Sequence, residues 1–268
     1  MRRRHHALLL GAMATVGSAA CHRRAQADLT LAGSTSMQPF AEAWADAYGA
    51  EHPGLTVHVQ GGGSTAGVQA ALSGAAQIGM ASRALTPEEA ARTTSVVVAR
   101  DGIAVIVHAG SPVSDLTLDE VRGIYAGEIV SWRAVGGRPT PITLITREEG
   151  SGTRAAFEAL VMRGRRLAPR ALVQDSTGAV RQMVASDPAA IGYVALGIVD
   201  GSVKALRLGG VRASEAAIDA GRYPLVRPFL FVLAGTAGTA VTRDFVAWIR
   251  GEAGQAVIRR DGLLPPGA

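Results

Sequence analysis

The sequence predicts an α/β protein built on mostly parallel sheets, and three observations carry that reading. Strand-like and helix-like segments alternate from residue 28 onward, the pattern of strands joined through helices. Apolar residues make up 48% of the 268 positions, enough to fill one large core or two modest ones. Three strand ends run straight into glycine- and hydroxyl-rich loops that open helices.

In chain order, "DLTLA" (residues 28–32) reads as a strand. "SMQPFAEAWADAYGAEHPG" reads as a helix with Pro39 in its first turn, closed by Gly54 after Pro53. "LTVHV" alternates like a half-buried strand. "STAGVQAALSG" is a short helix ending at Gly74, and "AQIGMA" is a strand. In "TPEEAA", Thr86 and Glu89 form a capping box with Pro87 at the first helical position. "SVVVA" and "GIAVIVHA" are two β-branched strands. After them the α/β alternation restarts, so a strand near Ile103–His108 is placed to pass between two lobes. Thr117 and Glu120 repeat the capping box in "TLDEVRGIYAG". "PITLIT" is a strand, "STGAVRQMVASDP" a helix starting after Ser176, and "AIGYVA" a strand. "TAVTRDFVAWIRGEAGQAVIRRDG" supplies two final helices. No repeat of solenoid period and no low-complexity linker interrupts the chain.

The N-terminus carries the signals of export. Arg2, Arg3 and Arg4 precede an apolar stretch of 14 residues, Ala7 to Ala20, too short to span a bilayer. Residues 1–20 therefore read as a signal peptide. "SAAC" resembles a lipoprotein cleavage box, which makes Cys21 the expected acylated residue, although Ser18 stands where such boxes usually hold leucine. "AQA" is an alternative site, and cleavage after Ala27 would release a soluble chain. Cys21 is the only cysteine, so no internal disulfide forms.

The net charge of +5 belongs to this leader. Five arginines fall in the first 27 positions, which hold no acid, and the remaining 22 basic residues balance 22 acidic ones. A basic footprint for nucleic acid is absent. Aromatic residues amount to 4%, too few for base-stacking platforms.

The three loops share one chemistry. They are "AGSTSMQPF", "GGGSTAG" and "EEGSGTRAAF". Glycine lets the backbone approach a ligand, and Ser or Thr adds a hydroxyl and a cap. Free N–H groups and the helix dipole at such a terminus favour an anion. Each loop taken singly is an ordinary helix cap, but three at strand ends mark the edge where α/β sheets bind ligands. Two arginines follow strands beside these loops: Arg147, placed for a bidentate grip, and Arg83, next to Ser82. Arg154, inside a helix, reads as a surface residue. Neither a nucleotide-binding P-loop nor a G-x-S-x-G nucleophile elbow is present, and the histidines have no metal-ligand spacing. The expectation is an anion binder with no cofactor and no metal. An exported phosphoesterase or hydrolase using Ser151 or Ser64 is the enzymatic alternative, opposed by the lack of a base.

These segments also resemble a known family. "AGSTSMQPFAEAW", "QGGGSTAGVQAALSGAAQIGMASRALTPEE", "DGIAVIVHAGSPVSDLTLDEVRGIYAGEIVSW", "TREEGSGTRAAFEALV" and "GAVRQMVASDPAAIGYVALG" look like the phosphate-binding protein of the bacterial phosphate ABC importer. The resemblance covers most of residues 28–200 in order and weakens past Tyr223. It implies a two-lobed periplasmic binding protein, a Venus flytrap with its ligand cleft between lobes. Lobe one would combine residues 28–106 with 226–268, and lobe two would be residues 107–225, with "YPLVRPFLFVLAG" as a second crossover. It implies ligand donors at Thr35, Ser36, Ser64, Ser82, Arg83, Arg147, Ser151, Gly152 and Thr153. Well-known members hold an aspartate where this chain has Arg83, while others of the wider family carry Ser-Arg there. Glu148 or Glu149 is expected to orient Arg147, with the supply of an acceptor for the ligand's proton as the alternative. The implied ligand is inorganic phosphate, with sulfate, molybdate or a phosphonate as alternatives. The implied partner is an ABC permease, and the implied place is the periplasm or outer face of the cell membrane. Membrane contact would come through the lipid anchor only, and the chain would be a monomer. A sensory or scaffold protein that binds the anion without transport is a further alternative.

Overall fold

The computed structural model describes residues 27–235 and 238–266. The expected signal peptide, residues 1–20, and Cys21 lie outside the described residues, and the alternative cleavage position after Ala27 falls at their edge. The first part of the chain runs β1 (Ala27–Gly33), α1 (Gln38–Glu51), β2 (Leu55–Gly61), α2 (Ser64–Ser73), β3 (Ile78–Ala81), α3 (Pro87–Arg92) and β4 (Thr93–His108). The middle holds β5 (Asp115–Leu116), α4 (Leu118–Ala126), β6 (Thr143–Arg147), α5 (Gly152–Phe157), β7 (Leu172–Gln174), α6 (Thr177–Ser186), β8 (Ala190–Ala195), β9 (Val203–Ala205), β10 (Arg207–Leu208) and α7 (Glu215–Asp219). The chain ends with β11 (Val226–Ala234), α8 (Ala240–Arg250) and α9 (Glu252–Arg260).

The main sheet has the order β2-β1-β3-β11-β4-β8-β6-β7, with β9 also on β4. The expectation of mostly parallel pairing is corrected. β1 is parallel to β2 and β3, and β6 is parallel to β7 and β8. β11 is antiparallel to β3 and β4, and β4 is antiparallel to β8 and β9. The antiparallel seams lie where the chain passes from one lobe to the other and back.

The two strands expected from "SVVVA" and "GIAVIVHA" are one 16-residue strand, β4. Its first part pairs with β11, and its second part pairs with β8 and β9. The joining residues stay extended because each is held. Arg100 exchanges backbone hydrogen bonds with Leu264. Asp101 is buried and ion-paired to Arg227. Gly102 faces Ile218, whose Cδ1 would lie 2.8 Å from an added Cβ, so a side chain there would push the strands off their packing. The return crossing is marked by the Ile103 amide, which donates to the Leu225 carbonyl.

Each lobe has its own apolar core. Leu29, Trp44, Tyr48, Phe229, Phe231 and Phe245 anchor one, and Ile106, Tyr125, Phe157, Val180, Ile191 and Tyr193 anchor the other. Both predicted capping boxes form. The Glu89 amide donates to Thr86 Oγ1 at 3.2 Å and the Thr86 amide to Glu89 Oε2 at 2.8 Å, with the same reciprocal pair between Thr117 and Glu120. The short strands β5, β7, β9 and β10 and the short helix α7 carry too little periodicity to be read from sequence. Among the described residues no helix is long and apolar enough to cross a membrane.

Candidate functional site

The three glycine–hydroxyl loops meet. The first, between β1 and α1, is fixed where the Ser34 amide donates to the Met80 carbonyl and the Ser34 carbonyl accepts from the amides of Met37 and Gln38. This turn places three consecutive hydroxyls, Ser34, Thr35 and Ser36, at the end of β1. Ser34 Oγ lies 3.0 Å from Ser36 Oγ and donates to Ser82 Oγ at 2.9 Å. Ser82 follows β3. Its amide donates to Ser64 Oγ at 3.0 Å, and the two hydroxyl oxygens are 3.3 Å apart. Ser34, Ser36, Ser64 and Ser82 are all buried. One lobe therefore presents a connected chain of serine hydroxyls from the ends of β1 and β3 and the start of α2.

The other lobe supplies the third loop. Ser151 caps α5, its Oγ accepting from the Arg154 amide at 3.2 Å. Gly152 is pressed against the first lobe: an added Cβ would lie 2.1 Å from Ser64 Oγ and 2.6 Å from Ser82 Oγ. Glycine is required there because the start of α5 is in contact with the serine chain across the cleft. The Thr65 amide donates to the Gly150 carbonyl at 3.1 Å, a second contact between the lobes.

Four arginines stand around these hydroxyls, each with its own carboxylate. Arg147 is 1% exposed. Its Nε and Nη2 grip Glu148 Oε2 and Oε1, both at 2.9 Å. Nη1 donates to Thr177 Oγ1 at 3.0 Å, and Nη2 reaches across the cleft to Thr35 Oγ1 at 3.0 Å. Glu148 thus takes the orienting part, while Glu149 is exposed. Arg154 is not a plain surface residue: its Nη1 donates to the Arg147 carbonyl at 3.1 Å and its Nε to Glu158 at 2.8 Å.

Arg83 is held chiefly by α3. Both of its terminal nitrogens donate to Glu89, each at 2.7 Å, and Nη2 also approaches Thr65 Oγ1 at 3.3 Å. Its guanidinium is committed to α3. The hydrogen bond from Arg83 holds the Glu89 carboxyl below its ordinary range, against the opposing effect of burial.

Arg227, Asp101, Ser34 and Thr177 are not singled out by the sequence reading. Arg227, in β11, is 2% exposed and lies directly opposite Asp101 in β4. Its Nε and Nη2 donate to Asp101 Oδ2 at 2.9 and 2.8 Å. Its Nη1 donates to Thr153 Oγ1 at 2.8 Å and to the Ser82 carbonyl at 3.3 Å. Burial pushes the Asp101 carboxyl up, and the Arg227 guanidinium offsets part of that rise. Arg227 alone carried no signal in a β-branched, aromatic strand. Ser34 sits in a loop already recognised and was the readable omission.

The arrangement suits a small oxyanion. Hydroxyls and helix-start amides converge from both lobes, and the guanidinium charges are balanced in place, so donors and dipoles rather than net charge face the cleft. Among the described residues no cluster of His, Cys, Asp and Glu could hold a metal ion. A groove of about 590 Å³ beside Leu196, Val203, Lys204 and Arg212 in the second lobe shares no residue with this cluster.

Comparisons with known proteins agree with one another. The family model described as a PBP superfamily domain matches residues 18–252. The phosphate-binding protein PstS of Bacillus subtilis strain 168 is 32% identical, over 92% of this chain and 84% of its own. PstS of Pseudomonas aeruginosa is 26% identical, over 89% of this chain and 83% of its own. A solved Clostridium perfringens structure, assigned as a phosphate ABC transporter substrate-binding protein and holding bound phosphate, superposes with a TM-score of 0.87 at 36% identity, covering 90% of this chain and 100% of that one. An ABC-type phosphate transport receptor from Vibrio cholerae gives 0.74 at 36% identity, covering 89% of this chain and 100% of that one.

Proposed function

This chain belongs to the PBP superfamily, in the family of the phosphate-binding proteins, and on that premise we propose that it captures inorganic phosphate outside the cytoplasm and delivers it to the permease of an ABC importer. The observation that carries this reading is the junction of the lobes. Ser34, Ser36, Ser64 and Ser82 from one side meet Ser151, Gly152 and Thr153 from the other, with Arg147 donating to Thr35 between them. The ligand residues are Thr35, Ser36, Ser64, Ser82, Arg147, Ser151, Gly152 and Thr153, with Arg83 reassigned to bracing α3. The lobes are residues 28–106 with 226–268, and residues 107–225. β4 and β11 serve as the hinge, and their bending opens and closes the cleft.

The energetics allow this. A charge-assisted hydrogen bond contributes about 1.5–3 kcal/mol, and micromolar affinity requires about 8 kcal/mol. A handful of such bonds, less the cost of closure and desolvation, reaches that range. The site is for binding and not hydrolysis: Ser64 Oγ accepts from the Ser82 amide and Ser151 Oγ from the Arg154 amide, so neither hydroxyl is set on a base. The mature chain is a monomer, tethered through acylated Cys21 or released by cleavage after Ala27. Calorimetric titration with phosphate tests the reading. One-to-one binding at micromolar or tighter affinity is expected, and a flat isotherm rejects it.

A further inference from the structure

The carboxylates around the cleft are spoken for. Glu148 gives both oxygens to Arg147, and Glu89 gives both to Arg83. Asp101 gives Oδ2 to Arg227 and Oδ1 to the Leu196 amide at 3.3 Å. Glu149 and Asp175, the remaining acids on the adjoining loops, are exposed. Among the described residues, no carboxylate at this junction is hydrogen-bonded to the Ser34, Ser36, Ser64 and Ser82 hydroxyls or to those of Ser151 and Thr153.

The hydroxyls are polarised in a complementary way. Thr35 and Thr177 accept from Arg147, Thr153 from Arg227, Ser151 from the Arg154 amide, and Ser64 from the Ser82 amide. Each of those oxygens is engaged by a group that can only donate, which leaves its own proton free to donate onward. The chain of Ser34, Ser36 and Ser82 is different. Its members bond to one another: Ser34 gives its one proton to Ser82, so Ser36 donates to Ser34, while the Ser64–Ser82 contact can run in either direction. A serine that accepts from a protonated ligand can rotate and donate to an unprotonated one.

Strong discrimination against a ligand that lacks a proton needs a buried acceptor that such a ligand leaves unpaired, and a site with one rejects the analogue by about 10⁴–10⁵. A carboxylate acceptor adds repulsion of the second anion. The geometry here provides rotatable neutral hydroxyls instead. We propose that this cleft selects tetrahedral oxyanion shape and charge rather than the ligand proton, so that it takes sulfate as well as hydrogen phosphate. The inference rests on the anion-capture reading above and extends its ligand class.

The test is competitive calorimetry on the wild-type protein, in chloride buffer freed of both anions, with phosphate and sulfate as probes. The expected result is one-to-one sulfate binding within about a hundredfold of the phosphate affinity, well short of the rejection a dedicated acceptor gives. Sulfate should also displace phosphate competitively. If phosphate binds but sulfate in about ten-thousandfold excess leaves its isotherm unchanged, the inference is overturned while phosphate capture stands. Sulfate that binds without competing overturns it as well. If neither anion binds, the capture reading itself fails and takes this inference with it.

Discussion

Arg147 and Arg83 show how little separates a cleft arginine from a bracing one. Both follow strands, both stand near a hydroxyl loop, and both end in a carboxylate fork. Arg147 keeps further donations, to Thr177, to the Gln174 and Asp175 carbonyls and across the cleft to Thr35, whereas Arg83 spends its fork on the next helix. Arg147→Ala should therefore weaken phosphate binding by about a hundredfold or more, on the order of 3 kcal/mol, because the variant loses the cross-cleft donor and leaves Glu148 facing the anion. Unchanged affinity by calorimetry would remove Arg147 from the site. The glycine–hydroxyl loops were legible in the sequence because their chemistry is local: a few consecutive residues state the turn, the cap and the donors together. The difference between the two arginines was not, because it depends on which carboxylate each guanidinium meets in space.

At the scale of the element, α3 joins a local signal to a tertiary one. Thr86 and Glu89 announce the capping box in sequence, and the same Glu89 carboxylate then receives Arg83. Both side chains of the pair are nearly buried, at 10% and 12% exposure, so solvent screens the pair weakly. Arg83 holds the Glu89 carboxyl below its ordinary value of 4.5. A carboxylate with a depressed folded-state pKa contributes stability that is full above the unfolded value and is lost as pH falls through the folded one. Glu89→Gln should thus be less stable than wild type near neutrality by about 1–3 kcal/mol. The gap should close on acidification below about 4.5, where both proteins carry an uncharged group. Thermal unfolding at neutral and acid pH reads this directly, with phosphate affinity expected to change little. A gap that persists in acid would mean that packing, not the charge, holds α3. β4 shows the opposite limit of legibility. Its two halves read correctly as strands, but their fusion depends on Leu264, Ile218 and Arg227, far along the chain.

At the scale of the whole molecule, Asp101 and Arg227 tie the two crossing strands together. They are 126 residues apart in sequence and opposite each other in register. From β11, Arg227 also donates to Thr153 at the start of α5 and to the Ser82 carbonyl after β3, so one side chain touches both crossing strands and both faces of the cleft. A buried ion pair broken on one side leaves an uncompensated charge, which costs about 3–5 kcal/mol, whereas removing both charges costs much less. Arg227→Met alone should therefore destabilise strongly, since Asp101 is left buried without its partner. Arg227→Met combined with Asp101→Asn should recover at least half of that loss in chemical denaturation. Recovery of the fold need not restore binding. In the double variant Thr153 Oγ1 no longer accepts from a guanidinium, so its proton is not directed onward, and phosphate affinity should stay about tenfold below wild type, or about 1.4 kcal/mol. A double variant that regains both stability and full affinity would reduce Arg227 to a structural counter-ion. Regained stability with affinity still impaired would make the hinge pair a positioning element for the cleft, acting through Thr153.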